Sequence, residues 1–302
     1  MKPQSNIKIT LFSLSQCLGA FVAFLFSLTI SNMILPMAPN IMAAAPPKGL
    51  LSTPVAFLLN GVVNALLFVW ATRRSSFRGL WMVAQLAALS FGAQVFMTQI
   101  ETAYFISAFP LLHGNFELYK IVLRGLLTSV IFTFFVTLTV GGFSEKARPK
   151  ALFSIQCNTA IRAGAWLALV YVVLYFLFGY FVAWQSQDVR LFYGGPAELN
   201  SFLNQIGQFL MDRPEVPVFQ YFRGVLWMLC LVPLFQGFSG KRIELIILSA
   251  LSLALLPTVQ LAFPNPLMPA RVTLAHFWEV SISTGIFGAL CAWIVPKEAL
   301  TV

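Results

Sequence analysis

The sequence has few charged residues. Asp, Glu, Lys and Arg make up only 10% of its 302 residues, whereas they make up about a quarter of an ordinary soluble domain. So few charges cannot give a chain of this length the polar surface that a soluble domain needs. The composition therefore excludes an ordinary soluble globular protein.

The residues that build common metal, haem and nucleotide sites are also scarce. The chain has only two histidines, His113 and His276, and its four cysteines lie in or beside apolar runs without a Cys-x-x-Cys spacing. This pattern indicates neither a zinc site, nor a disulfide framework, nor a bis-histidine haem site. Gly-x-Ser-x-Gly, P-loop and Gly-x-Gly-x-x-Gly motifs are missing as well. We therefore expect no metal and no cofactor.

Apolar residues are abundant and make up 59% of the chain. A membrane helix takes about 20 of them, and eight apolar runs are long enough. They cover residues 9–35, 54–72, 79–105, 121–143, 157–184, 218–237, 243–263 and 272–295. The sequence predicts an all-α, polytopic integral membrane protein with about eight transmembrane helices in a single domain, 1–302.

The first run resembles a signal peptide because a small-residue stretch, Met-Ala-Ala-Ala-Pro-Pro at 42–47, follows it. Its apolar core is longer than the roughly 7–15 residues of a signal peptide. We expect it to be retained as the first span.

The basic residues predict the orientation. With the amino terminus inside, the inner loops and tails collect 12 of the 19 Lys and Arg residues, as the positive-inside rule requires. Both termini are then cytoplasmic, in a bacterial-type plasma membrane. The formal net charge is +9, but no basic run exceeds two residues, as in Arg73-Arg74. This pattern favours anionic lipid headgroups and not nucleic acid as the partner.

The longest external connection covers residues 185–217. Within it, apolar residues at helical spacing predict an amphipathic helix over 196–212 that lies in the membrane interface. Such a helix either packs against the bundle or covers a site that opens outward. We favour packing, which is the commoner role.

A weak internal repeat is also present. Aligning Arg124 with Arg271 pairs the fourth run with the eighth and suggests a four-plus-four duplication, an arrangement found in many transporters.

Ionisable side chains fall inside or at the edge of several apolar runs. A charge at the centre of a membrane helix costs at least about 2.5–3.5 kcal/mol, so each must face protein or water and is a functional candidate. Six of them fall in the outer half of the membrane, which predicts one polar cavity open to the outside. The predicted ligand-binding residues are Glu101, Arg124, Arg223, Arg271, His276 and Glu279.

His276 and Glu279 lie one helical turn apart and are the candidates for proton transfer. Three arginines face two glutamates, which leaves one guanidinium for a carboxylate or phosphate. Two alternatives stay open: Arg124 or Arg223 reaches the headgroups, or Glu101 forms a structural pair with an arginine.

Three functions fit these residues. The first is transport or binding of a small anionic or zwitterionic solute. The second is an intramembrane enzyme that acts at the outer leaflet on a lipid or lipid-linked phosphate, and the third is a structural accessory subunit. We favour the first, because intramembrane charge and internal duplication are typical of transporters. The expected partners are the lipid bilayer and a small anionic solute; a protein partner or a homo-oligomer stays open.

Overall fold

In the part of the chain that the structure describes, eight helices are long and apolar enough to cross a membrane. The computed structural model describes residues 4–44, 46, 49–112, 116–144, 150–153 and 157–295, and those parts of the chain contain no β-strand. The prediction of an all-α, multi-pass integral membrane protein is confirmed. Spans 1 to 8 are Leu14–Ile34, Thr53–Arg74, Gly79–Tyr104, Glu117–Thr139, Ile161–Ala183, Glu215–Gly237, Arg242–Ala262 and Ala270–Ile294.

Some spans are not plain α-helices. Span 1 lies in the longer helix Gln4–Ile34, and span 5 lies in a helix that begins at Cys157. Spans 3 and 5 contain π-helical turns, Gly92–Phe96 and Gly179–Ala183, and span 7 ends in the 3-10 turn Val259–Ala262. The described connections add the short helices Pro39–Ala43, Ile106–Ala108, Gln187–Phe192 and Phe202–Asp212.

Successive spans run in opposite directions, so the connections gather at two ends of the bundle. The described residues of the connections 35–52, 105–116, 184–214 and 263–269 lie at the distal end. Those of the connections 75–78, 140–156 and 238–241 lie at the terminal end, where the first helix also begins and the last one ends.

The spans pack as two similar groups of four. Span 1 packs against spans 2 and 4, and span 3 packs against span 4; in the same way span 5 packs against spans 6 and 8, and span 7 against span 8. The groups meet where span 3 contacts span 6 and where span 2 contacts span 7. Exchanging the two groups leaves these contacts unchanged, which is the packing that a parallel four-plus-four duplication produces.

Most buried positions of one group match buried positions of the other. Span 1 is paired with span 5, span 2 with span 6, span 3 with span 7 and span 4 with span 8. Within each pair, matching residues differ by one constant number of residues along the chain. Examples are Ala20 and Ala168, Gly61 and Gly224, Phe68 and Leu231, Met82 and Leu245, Ala93 and Leu256, Phe132 and Phe287, and Val136 and Cys291.

This register corrects the alignment suggested by the sequence. In this register Arg124 of span 4 corresponds to Glu279 of span 8, not to Arg271, which lies about two helical turns earlier in span 8. Pro269 precedes the helix of span 8, so Arg271 stands at the very start of that helix, whereas Arg124 lies well inside span 4.

The two groups are joined by backbone hydrogen bonds at the terminal end. The amide of Ser76 donates to the carbonyl of Gly237 at 2.7 Å, and the amide of Ser239 donates to the carbonyl of Arg74 at 2.8 Å. Ser76 corresponds to Ser239, and Arg74 corresponds to Gly237. Each of the two hydrogen bonds is therefore the counterpart of the other in the second group. Arg74 also forms an ion pair with Glu244 at 2.6 Å, so this end of the interface is held by both backbone and side chains.

We expect Gly224→Ala to destabilise the protein. A Cβ there would lie 2.8 Å from the Cα of Ala168 and 2.9 Å from the Cβ of Tyr171, so spans 5 and 6 would have to separate. Overpacking of this kind costs about 1–3 kcal/mol, and thermal unfolding in detergent should show a lower midpoint. The control is Gly207→Ala, since nothing lies within 4 Å of a Cβ at that position. Equal losses in the two variants would contradict the close packing.

Candidate functional site

A cavity of about 590 Å³ lies at the distal end of the bundle, and we name it the first cavity. Spans 3, 5 and 8 supply its inner wall, and the connection 184–214 together with Phe105 supplies the rest. Its polar lining residues include Glu101, Tyr175, Tyr193, His276 and Glu279. The volume lies in the range of small-molecule sites, about 300–1,000 Å³.

Three of these side chains form a hydrogen-bonded chain. Nδ1 of His276 lies 3.0 Å from Oε2 of Glu279, and Nε2 lies 3.0 Å from the hydroxyl of Tyr193. Burial raises the pKa of the Tyr193 phenol well above its usual range, so the phenol keeps its proton. In neutral His276 the Nδ1–H therefore donates to Glu279 and Nε2 accepts from Tyr193. Adding a proton to Nε2 reverses the direction of the Tyr193 bond and keeps both contacts.

Glu101 and Arg223 form a two-pronged ion pair across spans 3 and 6. Nη1 of Arg223 lies 2.9 Å from Oε1 of Glu101, and Nη2 lies 2.8 Å from Oε2. Nη1 also donates to Gln220 Oε1 at 2.8 Å. The Arg223 side chain is 5% exposed and that of Glu101 is 29% exposed, so the carboxylate faces the cavity and the guanidinium lies behind it.

The amphipathic helix Phe202–Asp212 covers part of this cavity. Its polar residues Gln205, Gln208 and Asp212 line the cavity, while Leu203 and Met211 are exposed on its outer side. The ring of Phe209, in the same helix, packs on Phe176 and Trp184. Its polar face therefore forms one wall of the site.

Arg190 explains where this helix begins. Its guanidinium donates hydrogen bonds to four backbone carbonyls, those of Trp184, Gln185, Pro196 and Ala197. Residues 196 and 197 are thereby held in a turn of the connection, and the helix begins at Phe202, not at the predicted residue 196. Most of the hydrogen-bonding capacity of Arg190 is used within the connection.

A second cavity of about 170 Å³ lies among spans 1 to 4 and span 7. Its lining residues include Arg124, Asn60, Gln94, Gln99 and Gln260, and it shares none with the first cavity. The six predicted ligand residues are thus divided. Glu101, His276 and Glu279 line the first cavity with Arg223 behind them, and Arg124 lines the second.

Arg271 lies outside both cavities. Its side chain is 83% exposed, and its Nη1 lies 3.3 Å from Oδ2 of Asp188. His113 is outside the described residues.

The π-helical turn in span 3 places Gln94 and Glu101 of that span in different cavities. Gln94 and Glu101 lie seven residues apart, which puts them on one face of a regular α-helix. One extra residue in the turn Gly92–Phe96 rotates the remainder of the span by roughly 100°. Gln94 therefore lines the second cavity and Glu101 the first.

Sequence reasoning missed Tyr193 and the polar face of the amphipathic helix. Tyr193 lies in a connection, where a tyrosine gives no periodic signal. The polar face did give a periodic signal, because its residues recur at helical spacing opposite the apolar face: Gln205, Gln208 and Asp212.

The arrangement can move a proton and hold charged groups of both signs. No group of three His, Cys, Asp or Glu side chains lies close enough to hold a metal ion in the parts of the chain that the structure describes.

Comparison of the chain with protein-family models, with curated proteins and with solved structures found no match in any of the three. The function is therefore inferred from the geometry of the site.

We expect the Glu101–Arg223 pair to be strongly coupled. Arg223→Met should lower the free energy of unfolding by about 3 kcal/mol, because it leaves a partly buried carboxylate without its partner. Adding Glu101→Gln should recover much of that loss, and a double-mutant cycle by thermal unfolding measures the coupling. The exposed pair Arg213–Glu215, at 3.4 Å, is the matched control and should couple by less than about 1 kcal/mol. Equal coupling in the two pairs would contradict this account.

Proposed function

We propose that the protein binds a small zwitterionic or anionic solute in the first cavity and moves it across the membrane together with a proton. The observation that carries the proposal is the hydrogen-bonded chain Tyr193–His276–Glu279 in the wall of a 590 Å³ cavity. Imidazole is the side chain whose ordinary titration range is nearest neutral pH, and here it has a partner on each nitrogen.

The charges of the lining favour a zwitterion. Glu101, Asp212 and Glu279 supply carboxylates, and Arg190 and Arg213 supply guanidinium groups. Because Glu101 is paired with Arg223, Glu279 with His276 and Arg190 with carbonyls, the groups best placed for a solute are Asp212 and Arg213. Arg213 makes only an exposed pair with Glu215 at 3.4 Å, which a solute can replace. A solute with an ammonium and a carboxylate group matches both signs.

The basic residues support an outward opening of this cavity. Arg73, Arg74, Arg78, Lys241 and Arg242 lie at the terminal end, which the positive-inside rule assigns to the cytoplasm. The distal end then faces outward, both termini are cytoplasmic, and the membrane is a bacterial-type plasma membrane. The amphipathic helix lies in the outer interface, with Leu203 and Met211 toward lipid and its polar face over the solute.

The two groups of four spans offer a route for transport. Large side chains such as Trp227, Phe235 and Phe287 fill the bundle between the first cavity and the terminal end. Passage of a solute therefore requires the two groups to move against each other along the contacts of spans 2 and 7 and of spans 3 and 6. Rocking of repeats around a central site is how many transporters of this kind work.

The hydrogen-bonded chain also favours a second candidate function, an enzyme at the outer leaflet. A phenol O–H on an imidazole whose other nitrogen is held by a carboxylate is an arrangement for acid–base catalysis. A lipid-linked phosphate is the substrate class that a one-sided membrane site would reach. Transport remains the first proposal, because no Ser, Thr, Cys or Lys side chain that could act as a nucleophile is among the described residues that line the first cavity.

Proteoliposomes with an internal pH dye test the proposal. We expect at least one of the common amino acids, or a small carboxylate, added outside to acidify the lumen. His276→Gln should reduce this signal at least tenfold, since it removes the titrating group. Trp278→Leu, on the lipid-facing side of the same span, is the control and should retain the signal. A folded wild-type protein that gives no signal with any of these solutes would contradict transport.

A further inference from the structure

The second cavity contains one positive charge. Arg124 is the only charged residue among its described lining residues. The one hydrogen bond that its side chain makes to a described residue runs from Nη1 to the carbonyl of Leu35 at 3.3 Å, which is long for a charged donor. A guanidinium has five N–H donors, so most of its donors have no protein acceptor in the described parts of the chain.

The nearest acid does not neutralise Arg124 by direct contact. Oε1 of Glu117 accepts a hydrogen bond from Nζ of Lys120 at 2.6 Å, and Oε2 accepts one from the amide of Ala38 at 3.2 Å. No carboxylate of a described residue lies within 4.0 Å of Arg124, the distance that defines the ion pairs of this structure. The cavity therefore keeps a net positive charge.

The neutral side chains around it are held in fixed orientations. Nδ2 of Asn64 donates to Oδ1 of Asn60 at 2.8 Å, and Nε2 of Gln94 donates to Oδ1 of Asn64 at 2.8 Å. Nε2 of Gln260 donates to the carbonyl of Gln94 at 2.6 Å. Because the oxygen of Asn60 is taken, its Nδ2 is left as a donor beside the cavity. A fixed neutral donor and a guanidinium are the groups that bind an anion.

The packing register relates this cavity to the first one. Arg124 stands where Glu279 stands in the other group of spans, Asn60 where Arg223 stands, and Ile121 where His276 stands. The second cavity thus has a cation in place of an acid, and a neutral amide and an aliphatic side chain in place of the arginine and the histidine. The two cavities therefore favour ligands of different charge.

We infer that the second cavity is a separate binding site for a small, singly charged anion, with Arg124 as the cation and Asn60 as a neutral donor. Its volume of about 170 Å³, less than a third of that of the first cavity, suits a carboxylate of the size of acetate. The same chemistry would bind the phosphate of a lipid headgroup. The site shares no lining residue with the first cavity, so it stands or falls independently of the proposed transport.

The test uses the purified full-length protein in an uncharged detergent. Acetate and chloride are titrated at constant ionic strength against thermal stability and by calorimetry, with gluconate as an anion too large for the cavity. We expect saturable stabilisation by acetate and none by gluconate. Arg124→Gln should weaken acetate binding at least tenfold, while Arg124→Lys keeps part of it. Arg162→Gln, which removes an exposed arginine at the terminal end, should behave like the wild type.

A second variant keeps the test decisive if Arg124→Gln fails to fold. Gln99→Glu is nearly isosteric and places a carboxylate in the lining of the same cavity, so it should form an ion pair with Arg124 and abolish acetate binding.

Nanodiscs of phosphatidylcholine with and without phosphatidylglycerol distinguish a lipid headgroup from a free anion as the ligand. Competition by phosphatidylglycerol assigns the site to a headgroup, and its absence assigns the site to a free anion. Acetate affinity unchanged in Arg124→Gln or in Gln99→Glu would overturn the inference.

Discussion

The buried ion pair between Glu101 and Arg223 is the constraint around which the site is organised. A guanidinium inside a membrane protein needs a nearby group that balances its charge. Here a carboxylate from the other group of spans does so and accepts two hydrogen bonds from Arg223. The pair fixes span 3 against span 6, at one of the two places where the groups meet. Because Glu101 also lines the first cavity, the same contact that holds the halves together shapes the wall of the site.

The packing of four spans against four gives the protein two related cavities with different chemistry. At the first, Glu279 holds the imidazole of His276, and the amphipathic helix covers part of the cavity. At the second, Arg124 is surrounded by neutral amides. A duplicated framework allows such divergence, because changing a few polar residues in one half leaves the apolar packing of both halves intact.

The sequence was sufficient to predict the eight spans. Lipid excludes backbone that is not hydrogen-bonded within a helix and excludes most polar side chains, so each span appears as a long apolar run between charges and prolines. It also singled out Glu101, Arg223, His276 and Glu279, since charge inside a membrane segment is costly. It did not separate Arg124 from them, because the packing of the spans decides which cavity each residue lines, and the periodicity of a single span does not show that packing. Arg271 was placed too deep, because helical periodicity alone does not show that Pro269 starts the helix at the membrane boundary. Tyr193 comes from a connection, where position depends on tertiary contacts such as those of Arg190.

The central claim is that the first cavity holds water and opens on the side opposite the termini. Thiol labelling tests it directly, in a chain whose four native cysteines are replaced, with one new cysteine at Gln205, on the cavity-facing side of the amphipathic helix. Intact cells treated with an impermeant thiol reagent should label Gln205→Cys, whereas Ser252→Cys, buried in span 7, should react only after unfolding. Protection of Gln205→Cys in the folded protein, or labelling that requires access from the cytoplasm, would contradict the account.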